Sequence, residues 1–146
     1  MSEETKAVVR KFYALLDNGD INGVSQLLSD TFVWHFAGIP APFDKQSSVG
    51  FLKAFCVAFP DMQHGLDPQI VEGDRVVTAL TFRGTHRGEL QGIPASGKRV
   101  EIRVFNIHRI LGGKITRAES VVDMMSLMQQ IGAIPAPGGS RAQAAE

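Results

Sequence analysis

The eleven-residue run from Val100 to Ile110 constrains the fold most, because polar and apolar side chains alternate along it with the period of a strand. Val100, Ile102, Val104, Asn106, His108 and Ile110 share one face, and Glu101, Arg103, Phe105, Ile107 and Arg109 share the other. Turn signals at Glu72-Gly73-Asp74, Ala95-Ser96-Gly97 and Gly112-Gly113 divide the second half of the chain into strand-like segments near residues 66–72, 75–85, 99–110 and 115–122. Connections this short make neighbouring strands antiparallel. Strands of about ten residues coil under their own twist, so this meander predicts a curved sheet with a concave side.

The first half reads differently. Val8, Phe12, Leu15 and Leu16 recur at helical spacing between Glu3 and Asn18, with Gly19 placed for the left-handed turn that ends a helix. A short second helix through Val24, Leu27 and Leu28 leads into the strand-like Thr31-Phe32-Val33-Trp34-His35-Phe36. Gly38-Ile39-Pro40-Ala41-Pro42 is a loop, since proline lacks the donor that helix and central strand both need. Ser47 is placed to cap a third helix, which runs to Phe59 and stops at Pro60. Met124 to Ile131 predicts a last short helix ended by Gly132. Three early helices followed by a meander predict an α+β fold, with helices packed on one face of an antiparallel sheet around an apolar pocket.

At 146 residues the chain fits a single domain, expected over 1–135, with an Ala-, Gly- and Pro-rich tail over 136–146 expected to be disordered. Fifteen Lys and Arg balance fifteen Asp and Glu, which argues against phosphate-driven nucleic-acid binding. The polar N-terminus precedes no apolar stretch of membrane-spanning or signal-peptide length, and the sole cysteine, Cys56, sits in an apolar run. A cytoplasmic protein is expected. The four histidines, His35, His64, His86 and His108, are far apart in sequence with no close ligand pair, so no metal site is expected. No glycine fingerprint follows a strand into a helix and no nucleophile elbow is present, so neither a dinucleotide cofactor nor covalent catalysis is indicated.

The candidate site residues come from polar groups on faces that should be buried. Asn106 and His108 interrupt the apolar face of the 99–110 strand; an unsatisfied buried polar atom costs about 1–3 kcal/mol, so both are either paired in the core or line a cavity. In the following strand Ile115, Arg117, Glu119, Val121 and Asp123 share a phase. If that phase faces the cavity, Asp123 is a carboxylate whose pKa burial would raise towards useful acid/base chemistry. Its other reading, favoured by the residues alone, is the N-cap of the helix that starts at Met124.

Several phrases resemble one family in order and spacing. They are Phe59-Pro60-Asp61-Met62, Glu72-Gly73-Asp74-Arg75-Val76-Val77, Gly84-Thr85-His86-Arg87-Gly88-Glu89-Leu90, Gly92-Ile93-Pro94-Ala95-Ser96-Gly97-Lys98, Gly113-Lys114-Ile115, and Asp123 with Gln130-Ile131-Gly132. Together with Phe12-Tyr13 and Val33-Trp34-His35, they resemble the SnoaL-like polyketide (ester) cyclases over about residues 5–135. The resemblance implies a cone-shaped fold of the nuclear transport factor 2-like superfamily, often dimeric through the outer sheet face. It implies intramolecular aldol ring closure of a small hydrophobic carbonyl or polycyclic substrate, without metal or cofactor.

On that resemblance Asp123 is the expected acid/base, and His108 or His35 would donate to the developing oxyanion. Tyr13, Trp34 and Phe36 would wall the ligand, with Asn106 beside it and His86 structural. Glu119 stands where many members carry a bulky aromatic, which would give the pocket a second carboxylate. Met124, Met125 and Met128 are core filler or a deformable wall. The rival expectations are a SnoaL-like hydroxylase working with a reductase, and a small-molecule-binding domain without chemistry.

Overall fold

A computed structural model describes residues 2–135; the expected disordered tail lies outside them. The chain begins with α1 (Ser2–Asp17) and α2 (Ile21–Leu27), passes through β1 (Leu28–Phe36), and forms α3 (Lys45–Ala58). The meander follows as β2 (Gln63–Leu66), β3 (Ile70–Glu72), β4 (Arg75–Thr85), β5 (Arg99–Leu111) and β6 (Lys114–Val122), and α4 (Met124–Gln130) closes the described chain. The α+β fold with its curved, unclosed sheet is as the sequence predicts.

In α1 the buried stripe is Val9, Phe12, Tyr13 and Leu16, while Val8 and Leu15 sit at its edge. That rotation turns Tyr13 fully inward. The N-cap of α3 is Asp44 rather than Ser47: the Asp44 carboxylate accepts the Ser47 amide at 2.8 Å, so Ser47 lies inside the first turn.

The six-stranded sheet has the order β1-β6-β5-β4-β2, with β3 sharing the β4 edge. The segment expected as one strand near 66–72 is split, because Pro68 has no amide to donate. Its two halves, β2 and β3, pair antiparallel with different stretches of β4. The β5–β6 hairpin turns on Gly112 and Gly113, with φ of 58° and 74°, the left-handed pair that a tight hairpin needs. β1 runs parallel to β6, setting Trp34 beside Ala118 and Phe36 beside Ser120. No turn signal announces that long-range pairing.

One irregularity decides which side chains face inward. β5 and β6 pair in register from Val104↔Val122 to Arg109↔Arg117, then resume at Ile110↔Ile115, leaving Thr116 as an extra residue. Such a bulge reverses the alternation. Ile115 is buried, but beyond the bulge Ala118 and Ser120 point into the core while Arg117, Glu119, Val121 and Asp123 are exposed. The expectation of one shared phase from Ile115 to Asp123 is corrected here.

The helices cover the concave face, where Phe12, Leu16, Leu52, Phe59, Leu80, Phe82 and Ile102 form the centre of the core. On the convex face Val77, Phe105, Ile107 and Val121 stay 38–54% exposed.

Candidate functional site

Between the concave face and helices α1 and α3 lies a cavity walled by aromatic rings. Trp34 and Phe36 stack at 4.5 Å on β1, and Phe51 meets both at 5.7 and 5.2 Å. Further apolar lining comes from Phe12, Leu16, Leu52, Phe55, Met62, Phe82, Ile102, Val104, Val122 and Met124. About 70 Å³ is open to the movement of a water molecule. The polar lining consists of Tyr13, His64, Asn106 and Ser120, with the indole nitrogen of Trp34.

Four of these groups form a chain of hydrogen bonds with one direction. Trp34 Nε1 donates to Ser120 Oγ at 2.8 Å; the Ser120 hydroxyl donates to Asn106 Oδ1; and Asn106 Nδ2 donates to the Tyr13 hydroxyl at 2.5 Å. An indole N–H can only donate, so the chain is driven from its Trp34 end. Tyr13 at the far end accepts from Asn106. Burial, reinforced by the negative charge of Asp17, holds its pKa well above the ordinary tyrosine value, while the Asn106 bond pulls the other way. The hydroxyl therefore remains a proton donor at any ordinary pH.

A second polar unit stands beside it. Asp17, the last residue of α1, grips His64 on β2 twice: Oδ1 lies 2.5 Å from Nδ1, and Oδ2 accepts the backbone N–H at 2.9 Å. The His64 ring packs on Tyr13 at 4.7 Å and on Phe82 at 5.3 Å. Its side chain is 8% exposed, and it borders the cavity.

The expected site residues divide sharply. Tyr13, Trp34, Phe36 and Asn106 line the cavity, as does Met124, which also packs against the core like Met128, while Met125 is exposed. His35 and Glu119 do not line it. They are paired across β1 and β6 on the convex face, where Glu119 forms an exposed ion pair with Arg117 at 3.3 Å. Both are corrected from pocket residues to surface residues, the bulge and the β1 alternation being the reason.

His108 does face inward, but deeper, under α1. It is buried beside Phe12 and Tyr13, with ring distances of 6.1 and 6.3 Å, and does not border the cavity. Desolvation lowers its pKa to about 4, so the ring is neutral, and its Nδ1 has no partner. Asp123 is exposed and caps α4, accepting the Ser126 amide at 3.1 Å; it does not border the cavity either. His86 is buried and anchored by Ser96 through both its amide and its hydroxyl, in keeping with a structural role.

The residues missed from sequence are Ser120, His64 and Asp17. Ser120 was hidden by the bulge. His64 and Asp17 are 47 positions apart, and no local pattern links them. Among the described residues no group of three or more His, Cys, Asp or Glu side chains gathers in metal-binding fashion, and no helix is long and apolar enough to cross a membrane.

Comparison with known proteins agrees with this architecture. AclR, a candidate hydroxylase from Streptomyces galilaeus, is similar at 26% identity over 91% of this chain and 98% of its own, with a TM-score of 0.83. IdmH, a candidate polyketide cyclase from Streptomyces antibioticus, is also 26% identical, over 88% of this chain and 98% of its own, with a TM-score of 0.77. A LEH-like epoxide hydrolase from M. tuberculosis shares the fold alone, at 18% identity and a TM-score of 0.71 over 88% of this chain and 90% of its own. No protein with a curated description is a significant sequence match. The model of the SnoaL-like polyketide cyclases matches residues 6–131, nearly the whole described chain, and the protein belongs to that family.

Proposed function

We propose that this protein is a cofactor-independent enzyme of cyclase type, which closes a ring in a small hydrophobic carbonyl substrate by proton transfer and intramolecular aldol addition. The observation that carries this reading is the hydrogen-bond chain that ends on a protonated hydroxyl in an apolar cavity. Because the Tyr13 oxygen already accepts from Asn106, its own proton is available to a ligand oxygen. Removing a C–H proton next to a carbonyl places negative charge on that oxygen, and a fixed donor in a site of low dielectric stabilises such charge most strongly.

The flat walls of Trp34 and Phe36 suit a planar ligand and hold it near its reactive shape. The narrow interior favours one or two fused rings over a larger polycycle. The apolar convex strip of Val77, Phe105, Ile107 and Val121 supports the family expectation of a homodimer.

The test is deuterium incorporation from heavy water into a panel of carbon acids, such as 2-tetralone and ethyl benzoylacetate, followed by mass spectrometry. The wild-type protein is expected to accelerate exchange into at least one member, and Tyr13→Phe to lose most of that acceleration. Binding of the panel without exchange would overturn proton transfer in favour of a binding module. The likeness to AclR supports a second reading, a hydroxylase. Oxygen consumed with a bound panel ligand and a reductant would favour it over the cyclase.

A further inference from the structure

If the cavity handles a carbon acid, it needs a base, and its lining contains no carboxylate. The titratable side chains that border it are Tyr13 and His64. Tyr13 is held as a donor, which leaves His64. We propose that the Asp17–His64 pair is the acid/base unit of this site, with His64 Nε2 as the atom that takes and returns the proton. This deepens the carbonyl-substrate reading above and rests on it.

The geometry makes the two ring nitrogens unequal. Nδ1 is 2.5 Å from a carboxylate oxygen, so in the neutral ring Nδ1 carries the hydrogen and Nε2 presents a lone pair. Nε2 has no hydrogen-bond partner among the described residues, and it is not one of the sealed, unpartnered polar atoms of the interior. The second Asp17 oxygen on the His64 amide fixes the ring through the backbone as well. A clamp whose purpose was only to tie α1 to β2 would be complete with that amide bond. The ring adds an oriented base packed between the rings of Tyr13 and Phe82.

The other histidines lack this arrangement. His35 is on the convex face, His86 is anchored to Ser96, and His108 is buried away from the cavity. Among the described residues His64 is the one histidine whose ring contacts a carboxylate at hydrogen-bond distance.

The reaction balances without any further reagent. Nε2 accepts the proton as the C–H bond breaks, and its electron pair becomes the enolate π bond while Tyr13 donates to the oxyanion. The enolate carbon then bonds to a second carbonyl carbon of the same molecule, whose π electrons move to its oxygen. That alkoxide takes the proton from Nε2–H, and the imidazole is restored. Asp17 keeps its charge throughout, opposite the imidazolium that exists between the two transfers.

The experiment uses the panel member that the wild-type protein exchanges fastest, with ligand binding followed separately through the fluorescence of Trp34. This is the only tryptophan in the chain and it lines the cavity. His64→Gln should slow exchange by roughly 10²–10⁴-fold, the usual contribution of a general base, while quenching of Trp34 by 2-naphthol, a planar enol mimic, is retained. Asp17→Asn should give an intermediate loss. Added imidazole should restore exchange to His64→Ala, which a purely structural role would not allow.

Wild-type exchange rates in both His64 variants, with ligand bound, would overturn the dyad and leave the carbon-acid reading standing. No exchange by the wild-type protein with ligand bound would overturn the carbon-acid reading and the dyad with it. Should the variants not fold, nitrogen-15 spectra of the wild-type histidines decide: an Nδ1–H tautomer for His64 is expected, and an Nε2–H tautomer would overturn the assignment.

Discussion

Two residues apart on one face of β5, Asn106 and His108 occupy opposite environments. Asn106 lies at the cavity, and both ends of its amide are bonded, to Ser120 and Tyr13. His108 lies where α1 seals the sheet, and its Nδ1 is unpartnered. The strand and its alternation are the same; what differs is the cover. Above Asn106 the aromatic walls stand apart and polar groups from α1, β1 and β6 converge, whereas above His108 helix and sheet close together. Polarity on an inward face therefore reaches a cavity only where a gap adjoins it.

The sharpest way to break this contrast is at Tyr13. Tyr13→Phe should reduce catalysed exchange by roughly 10²-fold, the usual loss for one oxyanion donor, and should also cost stability, because Asn106 Nδ2 loses its partner inside the protein. Asn106→Asp sharpens the result: a carboxylate can only accept, so it would draw the Tyr13 proton away from the ligand, and exchange should fall although the chain still connects.

His108 should behave in the opposite way, with a large effect on acid stability and none on turnover. Its pKa is near 4 when folded and near 6.5 when exposed, so the unfolded chain binds the extra proton first. The associated stability is complete above about pH 6.5 and is lost as pH falls towards 4, a decline on the order of 3 kcal/mol. In His108→Leu that part of the pH dependence should vanish from urea titrations, with exchange unchanged. Loss of exchange in this variant would erase the distinction between the two ends of the strand.

Smaller effects are expected at Trp34 and Asp123. Trp34→Phe keeps the flat wall but removes the donor that starts the chain, and should slow exchange by roughly two- to tenfold, one neutral hydrogen bond being worth about 0.5–1.5 kcal/mol. Asp123→Ala should lower the stability of α4 by about 1 kcal/mol, as for a lost N-cap, and leave exchange intact. A collapse of exchange there would return the family expectation to Asp123 and remove the need for His64.

Much of the fold could be read in the sequence because it is written locally. The α1 stripe, the stop at Pro60 and the Gly112-Gly113 turn each act over a few residues. So did the two faces of β5, which placed Asn106 inward and Phe105 outward correctly. The cavity lining was legible where its residues lay on such elements, as with Trp34, Phe36 and Asn106, whereas Tyr13, outside the expected α1 stripe, came from the family resemblance alone. The site was not legible where position depended on partners distant in the chain. The parallel seating of β1 on β6 decided that Trp34 meets Ser120 while His35 meets solvent, and only the packing of α1 on β2 joins Asp17 to His64.

Thr116 carries a consequence beyond its own strand. Every residue of β6 after it owes its side of the sheet to that one unpaired position. Were Thr116 instead taken into the ladder opposite Arg109, every later residue would slip by one, bringing Glu119 opposite the inward Asn106 and expelling Ser120, exchanging a neutral relay for a buried acid in one step. The polar character of this cavity is thus set by the register of one strand pair as much as by residue identity. A one-residue slip of β6 along β5 would separate a neutral interior from a carboxylate-lined one, with no substitution inside the cavity.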